Sequence, residues 1–495
     1  MVTRAVRRSR WLRWTLRIVT AIGAGALAVA PLVNATAVFV VLGLITLSFV
    51  VGLIAVSRRD AQAVLTLLLL LLFLIPENYV LVGPLKSVGQ PALLVGMLAL
   101  ALWAAGRILG LLDARGGHPI RWAFLLFAIS ILVSFTAAMS RSLTGEESAG
   151  ALRSLFPVAA MLGIGLLAVD GLENRQRVET LLEHLVVIGG VAAFLGIVEF
   201  ANSGFVYSEL MKLPGLTSNT DIINDTRSGF SRIDVAAAHP IEYAVAIACL
   251  APLALHLALH ASTQVQRRRC GVALALMLIV SPMSVSRSGI LALGVGLAIY
   301  VVHLNGRARF NAAVVGLIGV VVFRAMVPGL LGTLKSLFLI GDEDPSIAGR
   351  TKDYAEIPGL MEGFVWWGRG LGTFQPTKYF YVDNQYLGSL LEGGIIAMAA
   401  LIVVYITGMC VARGVRHRTG DPALRGLAQA LCGSIAALAV SATTFDELSF
   451  RQTAFMLFLL LGCAGALWSQ VHDQPRRFRS GEVRPEERPT AVPVA

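Results

Sequence analysis

Charge is scarce in this chain. Asp, Glu, Lys and Arg make up 14% of its 495 residues, against 56% hydrophobic side chains. Soluble domains carry about 25% charged residues, so no region reads as a soluble domain of ordinary size. CxxC, HExxH, GxSxG and Walker patterns are missing, which removes thioredoxin-like, zinc-protease, α/β-hydrolase and P-loop chemistry from consideration. The cysteines are few: Cys249, Cys270, Cys410, Cys432 and Cys463 lie in apolar runs or at their ends. None is spaced as a pair, so neither a disulfide nor a metal site is expected. No internal repeat is visible.

What is present is apolar length. Runs of about 20 residues, enough to cross a hydrocarbon core of about 30 Å, recur from end to end. They predict an all-α polytopic membrane protein with about 14 transmembrane helices, near 15–33, 36–56, 61–76, 91–108, 121–138, 152–170, 178–200, 239–260, 270–286, 288–304, 309–328, 383–409, 424–442 and 450–468. The first run follows a basic N-terminus without a convincing cleavage site, so it reads as a retained helix. Basic clusters at 4–17, 58–59, 267–269, 413–418 and 476–479 fall in short segments between runs. The positive-inside rule then places both termini in the cytoplasm and loops 201–238 and 329–382 outside. The net charge of +11 is accounted for by this bias and by anionic lipid, and implies no nucleic-acid partner. The tail 473–495, rich in Pro, Arg and Glu, reads as disordered.

Polar groups gather on the expected outer side. A single helix over 271–304 would be about 51 Å long, too long for one span. The stretch therefore divides into two short spans with Ser-Arg-Ser-Gly, 286–289, at the hairpin tip. Arg287 there is expensive unless it snorkels to headgroups or meets an anion, which its guanidinium grips as a fork. Phe-Ser-Arg-Ile-Asp-Val-Ala-Ala-Ala-His-Pro-Ile-Glu, 230–242, brings Arg232 and His239 to the start of a helix with Pro240 in its first turn. His239 is equally suited to capping or packing. In the large loop, Arg350 precedes a stretch suited to an interfacial helix ending at Trp366 and Trp367. Those tryptophans fit an aromatic belt, with stacking on a sugar as the alternative. Gly368-Arg369-Gly370-Leu371-Gly372 allows a tight turn or close approach to a ligand. Asp383-Asn384 then stands where it can cap the next span or serve a reaction. Glu392 lies about two turns further in, where a bare carboxylate is costly and an Arg partner is expected. Glu199 raises the same question, whereas Arg324 and Asp170 read as snorkelling span ends. Asp342-Glu343-Asp344 reads as a solvated turn.

In order and type these elements resemble the O-antigen ligase and O-antigen polymerase family. The residues that carry the resemblance are 232–240, Ser-Arg-Ser-Gly at 286–289, Arg350, the glycine stretch 367–372, and 383–393 with its Tyr-Leu and Glu-Gly. It covers roughly residues 180–410. Ligases of that family commonly have His before the Asn where this chain has Asp383, which tilts the reading toward a polymerase-like member. The resemblance implies a membrane glycosyltransferase of GT-C-like architecture in the bacterial inner membrane, acting on its outer side without cofactor or metal. A glycan on a polyprenyl diphosphate is the donor and a hydroxyl of an acceptor glycan or glycolipid attacks the anomeric carbon, with inversion. Asp383, Glu392 and His239 are the candidate catalytic groups. Arg232, Arg287, Arg350, Arg369, Asn384 and Trp366 are the candidate diphosphate and sugar contacts. The chain then divides into N-terminal membrane helices 1–178, a catalytic region 179–410 with the two outer loops, C-terminal helices 411–472 and the tail 473–495.

The rival reading is a flippase for lipid-linked oligosaccharide. It predicts two similar halves, charges along a central path and short loops on both sides. Polar groups clustered at one face and lopsided loops favour the enzyme.

Overall fold

The computed structural model describes residues 61–83, 88–112, 117–202, 207, 215–219, 226–227, 230–326 and 354–472. The first two expected spans, Arg350, the acidic turn 342–344 and the tail 473–495 lie outside the described residues.

Each remaining expected span is a helix: α1 (Ala61–Leu74), α2 (Pro91–Ile108), α3 (Pro119–Met139), α4 (Gly145–Gly171), α5 (Arg175–Ala201), α6 (Pro240–His260), α7 (Gln264–Met283), α8 (Arg287–Val301), α9 (Gly306–Met326), α10 (Gln385–Arg418), α11 (Pro422–Ser441) and α12 (Arg451–His472). Eight of them are long and apolar enough to cross a membrane, α1 and α8 are shorter apolar helices, and α7 and α9 each carry three arginines. The starts are written in the sequence. Pro91, Pro119, Pro240 and Pro422 take first-turn positions, where a missing N–H costs nothing. Thr144 and Thr263 form capping boxes with Glu147 and Gln266.

Packing identifies the solvent as lipid. On α3, Trp122, Leu125, Leu126, Ile129 and Leu132 are exposed while Phe124, Phe127 and Ile131 are buried. Both faces are apolar, unlike an amphipathic helix in water. The middle of α12 is apolar all round and buried all round, Phe455 to Leu461 being inaccessible, so α12 is the axis of the bundle. It meets α4 through small residues: a Cβ on Gly462 would lie 2.7 Å from the Gly165 carbonyl oxygen. The α8–α11 contact is alike, with Gly433 against the Gly296 carbonyl at 2.7 Å. Such close approach is how helices associate where no hydrophobic effect drives them together.

Helix connections alternate between the two ends. One end gathers the segments around 75–90, 140–144, 230–239, 284–286 and 365–393, and 442–450. The α7–α8 hairpin turns there at Ser284 and Val285, where Arg287 was expected to mark the tip. Two small features were not read from the sequence. Strand β1 (Tyr79–Leu81) pairs antiparallel with β2 (Leu216–Ser218), and β3 (Thr226–Arg227) with β4 (Phe230–Ser231). The interfacial helix expected up to Trp367 is short: residues 354–360 are helical and the chain then turns.

Helix α10 is broken. Gly394 has φ 68° and ψ −170°, and the chain segment 365–370 fills the break. Arg369 N donates to the Leu391 carbonyl (2.9 Å) and Gly370 N to that of Glu392 (2.8 Å), while Ile395 N donates to the Val365 carbonyl (2.9 Å). A discontinuous membrane helix exposes backbone groups that lipid cannot satisfy, and here the loop satisfies them. This explains the glycines: a Cβ on Gly368 would lie 2.3 Å from the Glu392 carbonyl, and one on Gly372 2.3 Å from Ser154 Oγ. What they approach closely is the protein's own helices.

Candidate active site

A cavity of about 560 Å³ opens at this end of the bundle, between α3, α4, the loop 371–383, the first turns of α10 and the segment 446–451. Its lining mixes carboxylates, serines and arginines with apolar side chains.

The polar part of the lining is built on the break in α10. Glu392 is anchored where the helix stops: Gly372 N donates to its Oε1 (3.0 Å), and the Phe374 amide also reaches the carboxylate. Ser134 of α3 donates to the Glu392 carbonyl (2.8 Å) and accepts from Leu371 N (2.9 Å). The partner expected for Glu392 was an arginine; peptide N–H groups take that place. Asp383 lines the same wall two turns away, and Asn384 rather than Asp383 caps α10, accepting from Tyr386 N (3.0 Å) and Leu387 N (3.2 Å).

A third carboxylate completes the wall. Asp446, in the last connection at this end, lines the cavity over Gly388 of α10. Ser449 Oγ donates to its Oδ2. Enclosure raises the Asp446 pKa to about 6; the Ser449 hydrogen bond opposes that rise and the nearby Asp383 charge adds to it. Its neighbour Glu447 lies in the bundle interior beside Tyr405, inaccessible, with burial pushing it well above the usual carboxylate range. The acidic pair is thus split between cavity and core. The sequence reading missed Asp446; its signal was an acidic dipeptide between two apolar runs on the side where the other polar groups gather.

Behind the wall, the start of α12 is held by a second acidic pair. Arg451 N donates to both oxygens of Glu77 (3.3 and 3.2 Å), and Gln452 N to Glu242 (2.7 Å). The two carboxyl groups also hydrogen-bond each other, and burial raises the Glu77 pKa against the pull of Arg451. Glu199 takes a similar part, accepting from Asp234 N (3.3 Å) and Val235 N (3.1 Å). Val235 and Val285 both have φ 49°, a left-handed conformation that is an outlier for a β-branched residue and costs about 1–3 kcal/mol. They precede the two predicted arginine-bearing helix starts, at His239-Pro240 and at Ser286-Arg287.

The other candidates distribute as follows. Arg232, Arg287, His239, Arg369, Asn384 and Trp366 are not part of the cavity lining. His239 caps α6, its Nδ1 accepting from Ile241 N (3.1 Å), with its ring 6.0 Å from that of Phe450 in the cavity wall. Arg287 opens α8, which packs on α6 where Gly289 meets Ala244. Arg369 is engaged within the loop, over Phe364 (5.0 Å) and Tyr379 (5.4 Å), donating to the Leu360 carbonyl and to Tyr379 Oη. Trp366 is 61% exposed, as a belt residue would be. Asp170, expected to snorkel, instead accepts from Trp103 Nε1 (2.9 Å) and lies 3.7 Å from Arg121.

The arrangement suits transfer between large amphiphiles: carboxylates that can take a proton, apolar helix faces beside them and an opening wide enough for a sugar. A search of curated proteins gave no match. Residues 272–402 match the family model described as O-antigen ligase, a segment that contains Ser286-Arg287, the broken start of α10, Asp383 and Glu392. The likeness to that family is confined to this segment, about a quarter of the chain.

Proposed function

We propose that the protein transfers a glycan from a polyprenyl-diphosphate donor to a hydroxyl of an acceptor glycan, on the outer side of a bacterial inner membrane, and so polymerises or ligates a cell-envelope polysaccharide. The observation that carries this reading is the cavity whose lining includes Asp383, Glu392 and Asp446 together with apolar side chains of α3 and α4, two of these acids lying in the segment matched by the family model. The acceptor oxygen attacks the anomeric carbon, the bond from that carbon to the diphosphate oxygen breaks, and the configuration inverts. The hydroxyl proton goes to the Asp383–Asp446 pair, whose raised basicity at Asp446 suits a proton acceptor near neutral pH. Glu392, fixed by peptide N–H groups, shapes the wall beside them. The family resemblance assigns neutralisation of the leaving diphosphate, without a metal, to Arg232, Arg287 and Arg350, of which the first two stand outside the cavity lining. The aspartate that stands where ligases of this family commonly carry histidine supports a polymerase-like member.

The test uses purified protein in proteoliposomes with a fluorescent polyprenyl-diphosphate oligosaccharide, with and without EDTA. A ladder of longer lipid-linked glycans that survives EDTA is the expected result. One discrete product on a different acceptor lipid makes the protein a ligase. Donor crossing between leaflets without a change of mass overturns transfer in favour of a flippase.

A further inference from the structure

The proposed donor is an amphiphile with a charge of about −2 at the junction of sugar and tail, and the cavity presents a strip with that same order of chemistry. On α4, Arg153 lines the mouth, Ser154 follows, and Pro157, Val158 and Met161 continue along the same wall. Phe127 and Ile131 of α3 extend the apolar part.

Two arginines line this cavity, and they differ in what their guanidinium groups do. Arg451 is committed: Nε donates to Gln90 Oε1 (3.2 Å) and Nη1 to the Ser449 carbonyl (3.0 Å). Arg153 uses only Nε, which donates to the Ala149 carbonyl one turn back (3.1 Å). That bond orients the side chain along the helix and leaves both terminal nitrogens without a hydrogen bond among the described residues. Two other cations at this end of α4 are engaged: Lys378 with Glu147 at 3.1 Å, and Arg141 with the Arg369 carbonyl at 3.0 Å. An oriented guanidinium with two open donors is the fork that fits a phosphate.

Resting on the transfer reading above, we propose that Arg153 is a diphosphate-binding residue of the donor site and that the polyprenyl chain lies along Pro157, Val158 and Met161 of α4 against Phe127 and Ile131 of α3. Arg153 lies outside the family segment.

The experiment measures binding of polyprenyl diphosphate without a glycan to protein in nanodiscs, alongside turnover of the glycan donor. Arg153→Ala should weaken polyprenyl-diphosphate binding at least tenfold and raise the apparent KM for donor, with the KM for acceptor unchanged and the melting temperature within a degree or two, because the side chain is exposed. Arg153→Lys should fall between. Met161→Trp should weaken binding of the long-chain lipid while a short farnesyl diphosphate binds as before. Equal binding of polyprenyl diphosphate by wild type and Arg153→Ala overturns the proposal. If Arg153→Ala changes the affinity for glycan-bearing donor alone, Arg153 reads an acidic sugar and the diphosphate assignment is wrong. If wild-type protein binds polyprenyl diphosphate through Arg153 but transfers nothing, the lipid site stands and the transfer reading falls.

Discussion

The two ends of the bundle handle charge in opposite ways. At the end away from the cavity, charge is matched with charge or with a strong partner. Arg175 bridges Asp421 and Glu179, Gln266 donates to Glu183, Arg416 donates to Gln429, and Arg418 lies over Trp468 at 4.0 Å. At the cavity end, peptide N–H groups hold several carboxylates: Glu392 by Gly372, Glu242 by Ala238 and Gln452, Glu77 by Arg451, and Glu199 by Asp234 and Val235. A salt bridge fixes a carboxylate in its ionised, low-basicity form. Peptide N–H groups also favour the ionised form, but they orient the carboxylate without a full counter-charge. One end is fastened by paired charges, and at the other Asp446, with its pKa raised to about 6, can still trade a proton.

The comparison breaks most completely where the acids are positioned. Gly368→Val would put a branched side chain at φ 71° and 2.3 Å from the Glu392 backbone, costing upward of about 3 kcal/mol. Loss of the folded protein in detergent, read by size-exclusion and thermal melting, is expected; an unchanged melt would show that the loop does not fill the break in α10. Next in size, Asp446→Asn should cut turnover at least about 100-fold while leaving the melting temperature nearly unchanged, as should Asp383→Asn. The pH profile sharpens the same point. Asp446, with a pKa of about 6, is protonated below that value and cannot accept a proton. Activity should therefore rise from pH 5 to pH 7 with a midpoint near 6. Because the Asp383 charge contributes to the raised value, the residual activity of Asp383→Asn should have its midpoint at lower pH. A midpoint shifted upward would remove the pair from the mechanism.

Smaller effects separate holding from chemistry. Glu77 and Glu242 hydrogen-bond each other, which needs a hydrogen between them. Glu77→Gln supplies one and should be nearly neutral, whereas Glu77→Ala should cost about 1–3 kcal/mol of stability in a urea or thermal titration. At the fastened end, Asp421→Ala removes a partly exposed partner of Arg175 and the cap of α11. It should cost about 1 kcal/mol and leave turnover untouched, and a large loss of activity there would erase the contrast between the two ends.

How much of this was legible follows from range. Helices were readable because their signal is local. The turn between α7 and α8, expected at 286–289 and found at Ser284 and Val285, was placed to within a few residues because a length of apolar chain has to fit a bilayer. Asp383 and Glu392 stood out because each is a charge in an apolar context. Asp446 was overlooked because its meaning depends on Asp383, a neighbour only across the fold, and the Glu77–Glu242 pair is hidden for the same reason. The glycine run 368–372 was read for the right property, close approach, but its counterpart is the broken backbone of α10, which periodicity cannot show. Arg153 went unremarked because nothing nearby in sequence tells a snorkelling arginine from one turned to a cavity.

The insertion of residues 365–370 into the break of α10 bears on how such proteins can be rebuilt. Because the loop supplies hydrogen bonds that a continuous helix would supply to itself, the loop and the first half of α10 are one unit of exchange. A chimera that imports a foreign loop up to residue 382 and keeps the native helix would leave peptide groups stranded in the bilayer. One that carries 354–396 across as a single cassette keeps every one of those bonds.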